Sequence, residues 1–219
     1  MSAVMERRTG QTRTGDPQTP TRFWWLRHGP VPRAAGGAIS GREDLACDLS
    51  NTAALDWLRQ RVPATAVFIA SPLIRAVSTG EAVMGRKPDA LFPSLMEQDF
   101  GRWTGKTWQE VSAEADALGF WDEPADAVPP NGESFSQQCS RVAAFIELAR
   151  ERWAGQDVLV ACHGGTIRAA LAHALSGASR QPGVTTQVMS FVIDNLSLTR
   201  IDALQEGTAI CSVNERYQP

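Results

Sequence analysis

"DVLVACHGGTIRAAL", residues 157–171, decides the reading of the chain. Val158 to Cys162 form an uninterrupted apolar run, as expected of a strand buried on both faces. His163, Gly164 and Gly165 stop it. Ile167, Ala170 and Leu171, with Ala174 and Leu175 beyond, then recur at helical spacing. A fully buried strand feeding directly into a helix is the unit of a parallel α/β sheet. Two nucleophilic side chains, Cys162 and His163, stand side by side where that strand ends.

The same pattern recurs in both directions along the chain. "RFWWLRH" (22–28) is a short apolar and aromatic run halted by Gly29 and Pro30, and "AVFIA" (66–70) is a third buried strand. The spacing predicts a helix over 50–61, with Ser50 as its cap. After 66–70, Ser71-Pro72 predicts a helix start with proline in the first turn, carrying Leu73, Val77, Gly80 and Met84. A shorter strand is expected near Leu91–Leu95. Thr107-x-x-Glu110 and Ser134-x-x-Gln137 are capping boxes, the first opening a helix to about Leu118. The second precedes the clearest amphipathic pattern, Phe135, Cys139, Val142, Ile146, Ala149 and Trp153. The Pro-, Gly- and acid-rich stretch 119–133 between them reads as a cleft-rim loop. The C-terminal part predicts strands turning near Asn195, with an edge strand that leaves pairing into a homodimer open. Strands alternating with helices imply a three-layer α/β/α sandwich with a mostly parallel central sheet. Residues 1–21 are expected to be a disordered tail, and 22–219 one domain.

Composition narrows the function. The chain has 219 residues, 43% hydrophobic and 21% charged, with a net charge of −3. Nothing basic recruits nucleic acid or an anionic membrane. No apolar run approaches the roughly 20 residues of a membrane helix, and the N-terminal stretch has no apolar segment of a secretory signal. Cys47, Cys139, Cys162 and Cys211 are scattered without zinc or redox spacing. Reduced thiols and a cytoplasmic location are expected. No carboxylate and histidine cluster calls for a metal, and no cofactor is implied.

In such sheets, ligands bind outside the carboxyl ends of the strands. Three of those ends carry polar groups: Arg27-His28-Gly29, Ser71-Pro72 and Cys162-His163-Gly164-Gly165. The chain has three histidines, and two of them, His28 and His163, end strands before a glycine. The third, His173, lies within a helix. Among nineteen arginines, Arg27 adjoins His28, and Arg75 sits in the first turn of the helix after 66–70, where it returns to the same sheet edge. Planar guanidiniums grip phosphoryl oxygens two at a time, and a helix N-terminus behind Gly164 adds backbone donors. The residue set therefore suits a small-molecule phosphate ester.

These stretches together resemble the histidine phosphatase superfamily, the fold shared with cofactor-dependent phosphoglycerate mutase. The segments that carry the likeness are "LRHG" (26–29), "ASPLIRAVSTGEAV" (70–83), "LMEQDFGRWTGKTWQEV" (95–111), "PNGESFSQQCSRV" (130–142) and "VACHGGTIRAAL" (160–171), in family order. The resemblance implies a metal-independent phosphomonoesterase. His28 becomes the nucleophile, carrying a phosphohistidine, with Arg27, Arg75, His163 and Gly164 around the phosphate and Glu97 as the proton donor. Without the resemblance, Glu97 is not preferable to Glu110 or Asp99. His28 is expected neutral because cations surround it, and Glu97 is expected to have a raised pKa. Family mutases place an asparagine shortly after Arg-His-Gly. This chain has "PVPRAAGG" there, so Arg33 or the backbone at Ser40 and Gly41 is expected to substitute. The compact length and "DFGRWTG" look most like alpha-ribazole phosphatase-type enzymes, making α-ribazole 5′-phosphate a candidate substrate. Trp103, Trp108 and Trp121 are candidates for a cleft floor or for core packing.

Three rivals stand beside this. One is mutase-type phosphoryl transfer, and another is a catalytically weak module that only binds phospho-ligands. In the third, Cys162 and Arg168 have the Cys-x-x-Gly-x-x-Arg spacing of a cysteine phosphatase, but Ala169 stands where a Ser or Thr would help the thiolate leave.

Overall fold

The computed structural model describes residues 19–32, 36–114, 117, 120, 122–176 and 184–219. Its centre is a six-stranded sheet in the order β3-β2-β4-β1-β5-β6. The strands are β1 (Thr21–Arg27), β2 (Val67–Ala70), β3 (Ala90–Leu91), β4 (Asp157–Cys162), β5 (Leu198–Ala203) and β6 (Thr208–Glu215). The first four run parallel, while β5 and β6 form an antiparallel pair at one edge. The apolar run at 158–162 is explained by its place between β2 and β1. Val158, Val160 and Cys162 pack with Phe23, Trp25, Phe135, Val142, Phe145 and Ile167 on one face. Leu159 and Ala161 pack with Leu26, Leu55, Leu58, Phe68 and Val83 on the other. Helices α1 (Thr52–Arg61) and α2 (Ile74–Met84) cover the second face, and α4 (Phe135–Arg152) and α5 (Gly164–Ser176) cover the first. The expected α/β/α sandwich with a mostly parallel sheet is observed.

Both capping boxes form, at Thr107 before α3 (Trp108–Ser112) and at Ser134 before α4. Several boundaries differ from expectation for local reasons. Asn51, not Ser50, caps α1, accepting from the Ala54 amide. Helix α2 begins at Ile74, whose amide is taken by Asp44 from a distant loop, so Ser71 is not its cap. The expected helix to Leu118 ends at Ser112 as α3, and Leu118 lies outside the described residues. Near 91–95 only Ala90 and Leu91 pair, and Pro93–Leu95 form a 3₁₀ turn.

The C-terminal expectation also needs correction. The apolar stretch after 184 does not ladder. It forms the short helix α6 (Val184–Gln187) and a 3₁₀ turn at Val188–Ser190, with Val184, Val188 and Ile193 buried against α4 and α5. The strand turn lies at 204–207, and Asn195 belongs instead to a loop crossing the end of β1. No helix among the described residues is long and apolar enough to cross a membrane.

Candidate active site

Register brings the two strand-end histidines together. In the β1–β4 pair Arg27 faces Cys162, and the His28 amide donates to the Cys162 carbonyl at 3.1 Å. The next residue on each strand is a histidine, and the two rings lie edge to face with centroids 5.1 Å apart. The following glycine is required by packing. A Cβ at Gly29 would lie 2.6 Å from the Asp48 carbonyl oxygen and 2.9 Å from Leu49.

The His28 ring has a defined tautomer. Its Nδ1 lies 2.7 Å from the Gly29 carbonyl, which can only accept, so Nδ1 carries the proton and Nε2 carries the lone pair. The Asn195 amide donates to the His28 carbonyl at 2.9 Å and fixes the turn from above. Burial lowers the His28 pKa to about 3, with the Arg75 and Arg27 charges acting in the same direction. The ring is thus neutral as expected, but burial rather than the neighbouring cations is the leading cause. His163 is fully buried, its pKa is driven well down for the same leading reason, and its Nε2 bonds Ser71 Oγ at 2.8 Å. Ser71 Oγ also accepts from the Leu73 amide at 3.4 Å, so the side chain serves both the ring and the turn that enters α2.

Arg27 and Arg75 complete a cationic wall. Arg75 is buried, and it donates to the Gly41 carbonyl at 2.7 Å and the Glu43 carbonyl at 2.6 Å. Arg27 donates to the Ile193 carbonyl. Each keeps a buried Nε that has no hydrogen-bond partner among the described residues. Arg27, His28, Ser40, Gly41, Arg75, Glu97, Phe100, Trp108 and Asn195 line a cleft of about 370 Å³. Gly164 opens α5 beside Arg27. The expected Ser40 and Gly41 are thus at the cleft, with Gly41 orienting Arg75 through its carbonyl. Arg33 and Trp121 lie outside the described residues.

Glu97 reverses one expectation. Burial alone would raise its pKa, but the Gln138 amide, the Gln98 and Gly165 backbone amides and the Arg75 charge outweigh burial and hold it below the ordinary carboxylate range. The Gln138 Nε2 donates to Glu97 Oε1 at 3.1 Å and the Gly165 amide donates to Oε2 at 3.2 Å. Glu97 is therefore ionised, where a raised pKa was expected. Its backbone is clamped as well. Arg42 and Arg141 both donate to the Glu97 carbonyl, and Glu133 accepts from both arginines. Of the alternatives, Glu110 caps α3, and Asp99 accepts from Arg42 and the Gly101 amide.

The structure brings in residues that the sequence did not flag. Gln138 had a readable signal, being a polar residue three after Phe135 and four before Val142, on the buried face of α4. Asn195 had none, because its role depends on where its loop crosses β1. Among the tryptophans, Trp108 lines the cleft and is partly exposed, whereas Trp103 is buried in a small cluster with Ile39, Val111 and Phe120. Cys162 is buried, and burial raises its thiol pKa well above the ordinary value, the opposite of what a thiolate nucleophile needs. Among the described residues, no group of three or more His, Cys, Asp or Glu is placed to hold a metal ion.

Residues 23–216 match the family model described as the histidine phosphatase superfamily, branch 1. A bifunctional protein of Mycobacterium tuberculosis is 33% identical over 175 residues, covering 76% of this chain and 47% of that protein. The chain thus spans about half the length of the mycobacterial relatives it matches. The adenosylcobalamin/alpha-ribazole phosphatase of Escherichia coli is 27% identical over 203 residues, covering 89% of this chain and 96% of that protein. The crystal structure of the alpha-ribazole phosphatase from Shigella flexneri superposes with a TM-score of 0.77 at 23% identity, over 89% of this chain and 96% of that one. Named relatives of the chain include phosphatases and a mutase.

Proposed function

The chain belongs to the histidine phosphatase superfamily, and on that premise we propose that it is a metal-independent phosphomonoesterase. It acts on a small phosphorylated metabolite through a phosphohistidine at His28. The observation that carries this reading is the His28 tautomer. The Nδ1 proton is committed to the Gly29 carbonyl, so Nε2 keeps its lone pair in a cleft walled by Arg27 and Arg75 and bordered by Glu97.

In the first step Nε2 attacks phosphorus in line, the N–P bond forms, and the ester P–O bond breaks. Glu97 gives its proton to the departing alkoxide. In the second step the Glu97 carboxylate takes a proton from water, whose oxygen attacks phosphorus and releases His28 and inorganic phosphate. Arg27, Arg75 and His163 stabilise the equatorial oxygens as charge builds there. Because Glu97 is ionised in the free protein, the proton for the first step enters with a monoanionic ester or is taken up when the phosphate charge arrives. α-Ribazole 5′-phosphate is the first natural substrate to assay, since the Escherichia coli relative acts on that class by name and aligns along nearly its whole length.

The test is rapid quenching with a ³²P-labelled aryl phosphate in the presence of a chelator. The reading expects an acid-labile, base-stable label on His28, no turnover by His28→Ala, and at least half the wild-type rate in Cys162→Ser. Label on sulfur, or a requirement for added metal, overturns it.

A further inference from the structure

Three guanidiniums share one carboxylate as an electrostatic partner. The charge of Glu97 acts on Arg27, Arg75 and Arg168 alike. Arg27 also feels Asp194 and Arg75 also feels Asp44, whereas among the described residues Glu97 is the one carboxylate acting on Arg168. Arg168 is the fifth residue of α5, five residues after His163. Its Nε donates to the Phe191 carbonyl at 3.0 Å, and its two terminal nitrogens donate to no described residue. Arg27 is anchored by the same loop, at Ile193. The two guanidiniums flank Gly164, where a Cβ would lie 3.5 Å from Arg27 Nε and 3.7 Å from Arg168 Nη1. Like charges held this close favour an anion between or beside them.

Arg168 also faces open space. It lines a second cavity of about 270 Å³, with Phe120, Pro124 and Met189. This cavity shares Glu97, Phe100 and Trp108 with the phosphate cleft. The Phe100 and Trp108 rings meet edge to face at 5.5 Å, and Trp108 stacks on Phe120 at 6.1 Å, forming an aromatic wall between the two. Glu97 stands at the boundary, where the ester oxygen of a substrate bound at His28 leaves. The leaving group therefore extends along the aromatic wall toward Arg168.

We propose that Arg168 is a second anion-binding residue, and that the favoured leaving group has an apolar or aromatic body ending in a carboxylate or a second phosphate. This deepens, and rests on, the phosphomonoesterase reading above. A bound phosphate answers the charge of Arg27 and Arg75 but leaves Arg168 with terminal donors facing an apolar cavity, and an anion there gains charge-assisted hydrogen bonds. An ester with an aromatic body and no second anion, such as α-ribazole 5′-phosphate, is then turned over with lower kcat/KM than an acidic ester of similar shape.

The experiment compares 4-carbamoylphenyl phosphate with 4-carboxyphenyl phosphate, which match in size and differ in charge, and with hydroquinone bisphosphate as the phosphate arm. Values of kcat/KM are measured for wild type, Arg168→Met and Arg168→Lys. The wild type is expected to prefer at least one anionic ester over the amide by about 10- to 100-fold. That ratio falls toward unity in Arg168→Met and is partly kept in Arg168→Lys. Taking ratios within each protein cancels leaving-group chemistry and any general loss of activity. The carboxylate and bisphosphate arms separate the two kinds of anion. Turnover of the amide ester with no anionic preference in wild type overturns the second site while leaving the phosphatase intact. A preference that persists in Arg168→Met overturns it too. No turnover of any ester fails the phosphomonoesterase reading itself, and this inference with it.

Discussion

Gly165→Ala is the sharpest perturbation of the proposed proton donor. A Cβ built at Gly165 lies 2.2 Å from Glu97 Oε1 and 3.0 Å from Gln138 Oε1, whereas ordinary contact begins near 3.4 Å. The Glu97 carboxylate must retreat by about 1 Å, away from the Gly165 amide that binds it. A displacement of about 1 Å from productive geometry can cost about 100-fold in rate. The fold bears little of this, because the atoms that yield are the ends of side chains. Replacing glycine by alanine in a helix also adds up to about 1 kcal/mol of stability. The expected result is a fall in kcat on an aryl phosphate of about 100-fold, with the melting temperature unchanged or slightly raised. Activity of Gly165→Ala within threefold of wild type would refute the placement of the carboxylate.

Other expectations follow from the same charges. With Glu97 ionised in the free protein, kcat/KM needs the proton of a monoanionic ester, so it should fall about tenfold per pH unit above roughly 6, where phosphate monoesters lose that proton. The acid limb from His28 should appear only near pH 3, and a limb at 6.5 would show the ring to be solvated. His28 also makes the fold acid-sensitive, because the unfolded chain takes up a proton that the folded ring refuses. Stability is therefore unaffected above pH 6.5 and is lost as pH falls from 6.5 toward 3, by at most about 5 kcal/mol at 1.36 kcal/mol per pH unit. Denaturant melts of His28→Asn should lack this component, and equal acid sensitivity in both proteins contradicts it. Gln138→Leu removes a donor from an ionised carboxylate and should raise the Glu97 pKa, read by NMR titration of ¹³C-labelled glutamate. An unmoved titration would show the amide to be a bystander.

The sheet was legible because β2 and β4 carry uninterrupted apolar runs at 67–70 and 158–162, as expected of strands covered on both faces. The paired Arg-His-Gly and Cys-His-Gly-Gly ends then told where those strands stop and face one another. Helix α4 was legible to the residue at its start, since a capping box is a local device. Starts that depend on a distant partner were not, as with Asp44 at α2. The apolar run after 184 misled for a related reason, because a buried helical turn and a buried strand share the same composition over so few residues. Glu97 was located by family likeness, but its ionisation was not foreseen, since three of its stabilising contacts come from residues 138, 165 and 75. Gly165, one of the two glycines that stop β4, had no readable role in the sequence, and the structure shows that it makes room for the acid.

Strand β1 lies between β4 and β5, which are made some 130 to 180 residues later. During synthesis, the segment with Trp24 and Trp25 leaves the ribosome early and waits without either neighbour, an aromatic ribbon open to mispairing. The central sheet cannot close until residue 203 has emerged. Both hydrogen-bonding partners of the first strand thus arrive late, which leaves its aromatic residues dependent on nearer cover, such as helix α1, in the interval.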